Sequence, residues 1–73
     1  MSQNNTVVIR NDYIELNKLL KFENLVESGG QAKIVISEGL VTLNGQVVTQ
    51  TRKKVFNGDV VEFNGELIRV IAG

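Results

Sequence analysis

The chain has 73 residues, 42% of them apolar and 22% charged, with eight cations balancing eight anions. A chain of this size buries only about 60% of its unfolded surface, which bounds the reading to one small domain with a modest core. Cysteine and histidine are both absent, which excludes disulfide staples, zinc-finger sites and Ser-His or Cys-His nucleophile pairs.

No uninterrupted apolar run exceeds three residues, as in residues 7–9, far short of the ~20 that a membrane span needs. The first six residues are polar and no signal-like apolar stretch follows them. A cytoplasmic protein without a membrane partner is expected. The charges are unevenly placed. Arg10 faces Asp12 and Glu15 near the start, and Arg69 faces Asp59, Glu62 and Glu66 near the end. In the middle, Lys18, Lys21, Lys33, Arg52, Lys53 and Lys54 outnumber Glu23, Glu27 and Glu38. Net neutrality denies the chain a global field for nucleic acid, yet any phosphate-binding surface belongs in that middle segment.

In chain order, residues 1–5 are polar and are expected to be a disordered N-terminus, with the domain over residues 6–73. Residues 6–10 are β-branched and apolar and read as a short strand. A helix follows, starting at Asp12 or at Glu15. Asp12 as N-cap puts Glu15 at N3 in a variant capping box. Leu16, Leu19 and Leu20 at i, i+3 and i+4 form its apolar stripe, while Lys18 and Lys21 share a solvent-facing side.

Ser28-Gly29-Gly30-Gln31 opens a second helix, with Ser28 as N-cap and Gln31 at N3 in the S-x-x-Q form of the capping box. Two glycines in a first turn are poor helix formers and point to close approach of something to this backbone. Ala32, Val35 and Ile36 make the second stripe, Lys33 and Ser37 share the neighbouring side, and Gly39 is the stop.

The remainder reads as β. Asn44-Gly45 between residues 40–43 and 46–48 is a strong hairpin signal, because a type I′ turn needs positive φ at both central residues. Residues 51–56 are irregular or extended, and Asn57-Gly58 turns the chain again. Asn64-Gly65 joins residues 59–63 to residues 66–71. The order β-α-α-β-β-β-β gives an α+β fold, in which two short helices pack on one face of a small twisted antiparallel sheet of four to five strands. The N-terminal strand could add to that sheet.

The ordered set Ser28, Gly29, Gly30, Gln31, Ala32, Lys33, Ile36, Gly39, Val41, Asn44, Gly45, then a basic cluster and Val55, Gly58 and Asp59, is similar to one known family. It resembles the RNA-binding domain named after small-subunit ribosomal protein S-four, the alpha-L motif. Leu19-Leu20-Lys21 fits that motif's first helix, and the length and the S-G-G-Q-A-K spelling point to the free-standing bacterial YbcJ/YaaA-like small proteins. The resemblance spans roughly residues 13–71.

The resemblance implies an RNA-contacting face built from the two helices and the loops beside them. The matching residues are Lys21 on the first helix, Gly30, Gln31 and Lys33 at the start of the second, and Arg52, Lys53 and Lys54 in the basic cluster; Lys18 on the first helix joins them as a candidate. The implied partner is structured RNA, ribosomal or transfer, and the implied role is ribosome-associated. With no histidine, no cysteine and no metal-ligand cluster in so small a domain, no catalytic role, cofactor or small-molecule substrate is expected, and a monomer is expected over an oligomer. Tyr13-Ile14-Glu15-Leu16 replaces the Arg-Leu-Asp opening usual in larger members, and no synthase or ligase body is expected.

Read alone, Arg52-Lys53-Lys54 is a solvated loop. Beside a helix N-terminus it suits phosphate, since the N–H groups and dipole there favour anions and arginine grips phosphate with two parallel bonds. Gln31 is most economically a capping partner. Tyr13, Phe22, Phe56 and Phe63 are the aromatic residues, and the three phenylalanines are expected in the core, which favours recognition of RNA shape over base stacking. Glu62 and Glu66 would turn their hairpin away from RNA. Two alternatives are an adaptor for proteins that keeps the fold without RNA, and a β-grasp sulfur carrier. The second fits poorly, because residues 71–73 supply one terminal glycine where such carriers need two.

Overall fold

The computed structural model describes residues 3–73. Its elements are β1 (Gln3–Ile9), β2 (Tyr13–Glu15), α1 (Leu16–Phe22), α2 (Gly29–Ser37), β3 (Val41–Leu43), β4 (Gln46–Val47), β5 (Lys54–Phe56), β6 (Val60–Phe63) and β7 (Glu66–Ala72). Five strands form one sheet in the order β1-β7-β6-β3-β4, and β2 pairs with β5 in a separate two-stranded ribbon.

The expected α+β architecture holds, with two corrections. The sheet is mixed: β1 runs parallel to β7, from Gln3 opposite Glu66 to Ile9 opposite Ala72, while the other pairs are antiparallel. One side of β7 is taken by β6, and a parallel pair needs a long connection, which residues 10–65, with both helices and five strands, provide. The strand also begins at Gln3 where disorder was expected through residue 5, because the backbone of residues 3–5 pairs with that of Glu66, Leu67 and Ile68. Met1 and Ser2 lie outside the described residues.

Turn chemistry explains the hairpins. Asn44 and Gly45 have φ of 52° and 85°, and Asn64 and Gly65 have φ of 54° and 82°, the two positive values of a type I′ turn that joins β3 to β4 and β6 to β7. Asn57-Gly58 acts differently. Only Gly58 has positive φ, and the strands on either side do not pair, since β5 turns to β2.

These turns are tied together by side chains. Asn44 donates its N–H to the Val60 carbonyl (2.7 Å), accepts the Val60 N–H on Oδ1 (2.9 Å) and donates from Nδ2 to Asp59 Oδ1 (3.0 Å). Asp59 Oδ2 accepts the Phe56 N–H at 2.8 Å, and Asn57 Oδ1 accepts the Ala72 N–H at 2.9 Å. The Asn-Gly and Gly-Asp pairs of the sequence signature are therefore structural.

Both helices end alike. Asn24 (φ 59°) follows α1 and Gly39 (φ 77°) follows α2. Leu25 N–H reaches the Leu20 carbonyl at 2.9 Å, and Leu40 N–H reaches the Val35 carbonyl at 3.1 Å. These are the six-to-one bonds that close a helix around a left-handed residue. At the start of α1, Glu15 is the N-cap residue, and Asp12 lies ahead of β2, outside the helix.

The core lies between the helices and one face of the sheet. Leu16, Leu19, Leu20, Ala32 and Ile36 from the helices meet Val41, Val61, Ile68 and Val70 from the sheet, all fully buried. Val7 and Ile9 extend this layer along β1, and Val55 locks the ribbon onto it. The phenylalanines do not all join. Phe63 packs against the core, but Phe22 is 67% and Phe56 47% exposed. Strand alternation explains Phe56, because Val55 points inward. Phe22 is the last residue of α1, at the edge of the buried stripe, and its side chain stays in solvent. Among the described residues, no helix is long and apolar enough to cross a membrane.

Candidate nucleic-acid interface

The basic loop is held by backbone and presents its side chains to solvent. The carbonyls of Lys53 and Thr51 accept the N–H groups of Leu16 (2.9 Å) and Asn17 (3.1 Å), and Lys53 N–H bonds the Gln50 carbonyl at 3.2 Å. The loop thus caps the first turn of α1 with its own carbonyls. That alters the expected chemistry: two of the helix donors imagined for phosphate are already used, so attraction for an anion comes from the side chains. Arg52, Lys53 and Lys54 are all exposed.

Glu15 sits inside this group. It lies opposite Lys54 in the β2–β5 pair, and its carboxylate is 3.7 Å from Lys18 Nζ. That contact is the only ion pair among the described residues. With the Lys18 side chain 71% exposed, it tempers Lys18 without immobilising it. Tyr13 lies opposite Phe56 in the same ribbon, with ring centroids 5.9 Å apart at 49°. Lys54 Nζ stands 4.8 Å from the Tyr13 ring centroid, a cation–π arrangement. Sequence reading passed over this pair, although the alternation Lys54-Val55-Phe56 was the available signal that Phe56 faces outward once Val55 faces in.

The start of α2 is a separate cluster. Ser28 Oγ accepts the Gln31 N–H at 3.2 Å, and Gln31 Oε1 accepts the Glu27 N–H at 2.8 Å. This is the expected capping box, reaching one residue further back than the usual form. The Gln31 carboxamide oxygen is occupied by the cap. Gly29 and Gly30 have no positive φ. A Cβ on Gly29 would meet nothing within 4 Å, and on Gly30 only Ser28 Oγ at 3.8 Å. Neither backbone conformation nor packing inside the protein calls for glycine at these positions. Lys33 is exposed in the second turn of α2, and Lys21 is exposed in the last turn of α1, where a cation suits the dipole.

The structure therefore brings Lys18, Arg52, Lys53 and Lys54 together around the start of α1. No hydrogen bond or ion pair among the described residues ties Gly30, Gln31 or Lys33 to that loop. A clean test of the glycines follows. Gly30→Ala is expected to leave stability unchanged or raise it by up to about 1 kcal/mol, read by thermal melting. The same change is expected to weaken a ligand that approaches this backbone severalfold, read by titration with RNA. Unaltered RNA affinity in the variant would show that the open space beside Gly30 is not used.

Comparison with known proteins finds similarity in sequence and in fold. The family described as S4 domain matches residues 7–71. "Putative RNA-binding protein YbcJ" of Escherichia coli (strain K12) is 44% identical over 63 residues, covering 86% of this chain and 90% of that protein. "Probable ribosome maturation protein RlbA" of Bacillus subtilis (strain 168) is 36% identical over 61 residues, covering 84% and 86% of the two chains. Among solved structures, the solution structure of E. coli YbcJ superposes with a TM-score of 0.68 at 40% identity, covering 94% of this chain and 86% of that one. That structure is described as revealing an alphaL motif involved in RNA-binding. The crystal structure of 30S ribosomal protein S4e from Thermoplasma acidophilum superposes with a TM-score of 0.65 at 25% identity, over 80% of this chain and 31% of that protein.

Proposed function

The chain belongs to the S4 domain family, and from that premise we propose that it is a small, non-enzymatic RNA-binding protein. It docks on structured RNA through the Arg52–Lys54 loop and the exposed sides of its two helices. The observation that carries this reading is the loop itself: three exposed cations on a backbone already pinned to α1. Cations on a fixed backbone lose less freedom on meeting phosphate than cations on a mobile tail.

Arg52 is the residue suited to a two-bond phosphate contact, and Lys18, Lys21, Lys33, Lys53 and Lys54 act as point charges. Gly30 leaves the α2 backbone approachable, and the NH2 of Gln31 is the part of that side chain left to contact RNA. The ribosomal names of two similar proteins favour ribosomal over transfer RNA as the target, and a cytoplasmic monomer fits that role.

Fluorescence anisotropy against ribosomal RNA fragments and transfer RNA, repeated over a range of salt, tests the proposal. With three to five phosphate contacts, log K is expected to fall against log salt with a slope of about −2 to −4. Absence of binding by the folded protein at low salt sinks the reading and moves the assignment to the protein adaptor.

A further inference from the structure

The aromatic residues of the β2–β5 ribbon remain unexplained by phosphate binding. Tyr13 is 37% and Phe56 47% exposed, and the fold gives them no route inward. Tyr13 and Phe56 are directly opposite each other, and Ile14 and Val55 form the next pair in register, with Val55 fully buried, so the ribbon cannot turn over without uncovering the core. The rings are held outward, in contact with each other, beside an exposed cation on the same strand.

Two depressions flank Tyr13. One, of about 260 Å3, is shared with Glu15 and Lys18, and the other, of about 200 Å3, with Val8 and Phe22. A flat apolar ligand with an anionic attachment matches this surface: the rings offer it a face and Lys54 offers it a charge. Arg52 and Lys53 continue the charge away from the rings along the same stretch of chain.

We propose that Tyr13 and Phe56 form a stacking site for an unpaired nucleobase of the bound RNA, with Lys54 meeting the phosphate of that nucleotide. This rests on the RNA-binding reading above and adds to it the kind of RNA recognised. Bases inside a duplex have their faces covered by their neighbours, so only a loop, bulge or end can present one to a protein ring. Stacking tolerates any base, because each has a π face. The target is accordingly a stem beside an unpaired nucleotide: the basic loop takes the backbone and the ribbon takes the base.

The test uses two RNA probes, a stem closed by a loop of unpaired adenosines and the same stem as a blunt duplex. Tyr13 is the only tyrosine, so its Hδ and Hε ring protons form a single, uniquely assignable NMR spin system. On adding the stem–loop, the Tyr13 and Phe56 ring protons are expected to move upfield; on adding the duplex they should not. Tyr13→Leu combined with Phe56→Leu is expected to weaken stem–loop binding about tenfold or more and leave duplex binding unchanged, whereas Tyr13→Phe should retain both.

Amide spectra establish that each variant is folded, and the ring shifts are read on the wild type in any case. Full-strength stem–loop binding with no ring shift overturns the stacking site and leaves the RNA-binding reading standing. A wild type that binds neither probe overturns both.

Discussion

Reversing Arg52, Lys53 and Lys54 to glutamate together is expected to lower RNA affinity about a hundredfold or more and to flatten the salt dependence by about two to three units of slope. The estimate follows from three charge-assisted contacts at roughly 1 kcal/mol each, with tenfold in affinity per ~1.4 kcal/mol, and about one unit of slope per phosphate contact. Titration by anisotropy over a range of salt measures both quantities. The fold should survive, because the loop is pinned by the carbonyls of Thr51 and Lys53 and not by the Arg52 and Lys53 side chains.

Lys54 needs a separate control. Glutamate there would stand opposite Glu15 in the ribbon, where like charges cost up to about 1 kcal/mol, and it would remove the cation beside Tyr13. Lys54→Gln therefore separates a lost contact from a strained ribbon. If the triple variant is folded and binds as the wild type does, the loop is not the interface.

Asn44→Ala is expected to cost about 2–4 kcal/mol, a large share of the ~4–11 kcal/mol available to a domain of this length. Alanine loses both side-chain bonds, to Asp59 and from Val60, one of them to a charged acceptor. It must also hold φ near 52°, which costs a Cβ-bearing residue without a local polar group about 1–2 kcal/mol. The expected fall in melting temperature is about 10–20 °C. Asn44→Gly tolerates the φ and loses only the bonds, so it should fall between the wild type and Asn44→Ala. A melting temperature within 2–3 °C of wild type for Asn44→Ala, well inside what ~1 kcal/mol produces, would show that the clasp between the two turns is dispensable.

The parts of this fold legible in the sequence are those that local chemistry decides. The capping box at Ser28, the stop at Gly39 and the type I′ hairpins at Asn44 and Asn64 each follow from side chains within four residues of one another. The parts that were not legible depend on partners far along the chain. Tyr13-Ile14-Glu15 is too short for strand alternation to register, and its pairing with residues 54–56 gives both segments their extended form. The same holds for the parallel alignment of β1, which no local pattern encodes.

For the interface, the cations could be read directly from the sequence. The carbonyls of Thr51 and Lys53 that occupy the start of α1, and the pairing that sets Glu15 opposite Lys54 and Tyr13 opposite Phe56, could not, because each joins segments far apart in the chain. The glycines were read as inviting close approach, and the structure shows that no part of the protein itself makes that approach.

The pairing of β1 with β7 also bears on the order of assembly. Every rung of that pair joins residues 63 apart in sequence, whereas the β6–β7 hairpin joins neighbours across a two-residue turn. Closing a chain segment of that length costs about 4 kcal/mol of entropy before any rung returns it, and contacts of such span slow folding in general. The hairpins and helices can therefore form first, leaving the free edge of β7 unpaired. The arrival of β1 is then the step of longest span, and it brings Val7 and Ile9 to the core as the closing element of the fold.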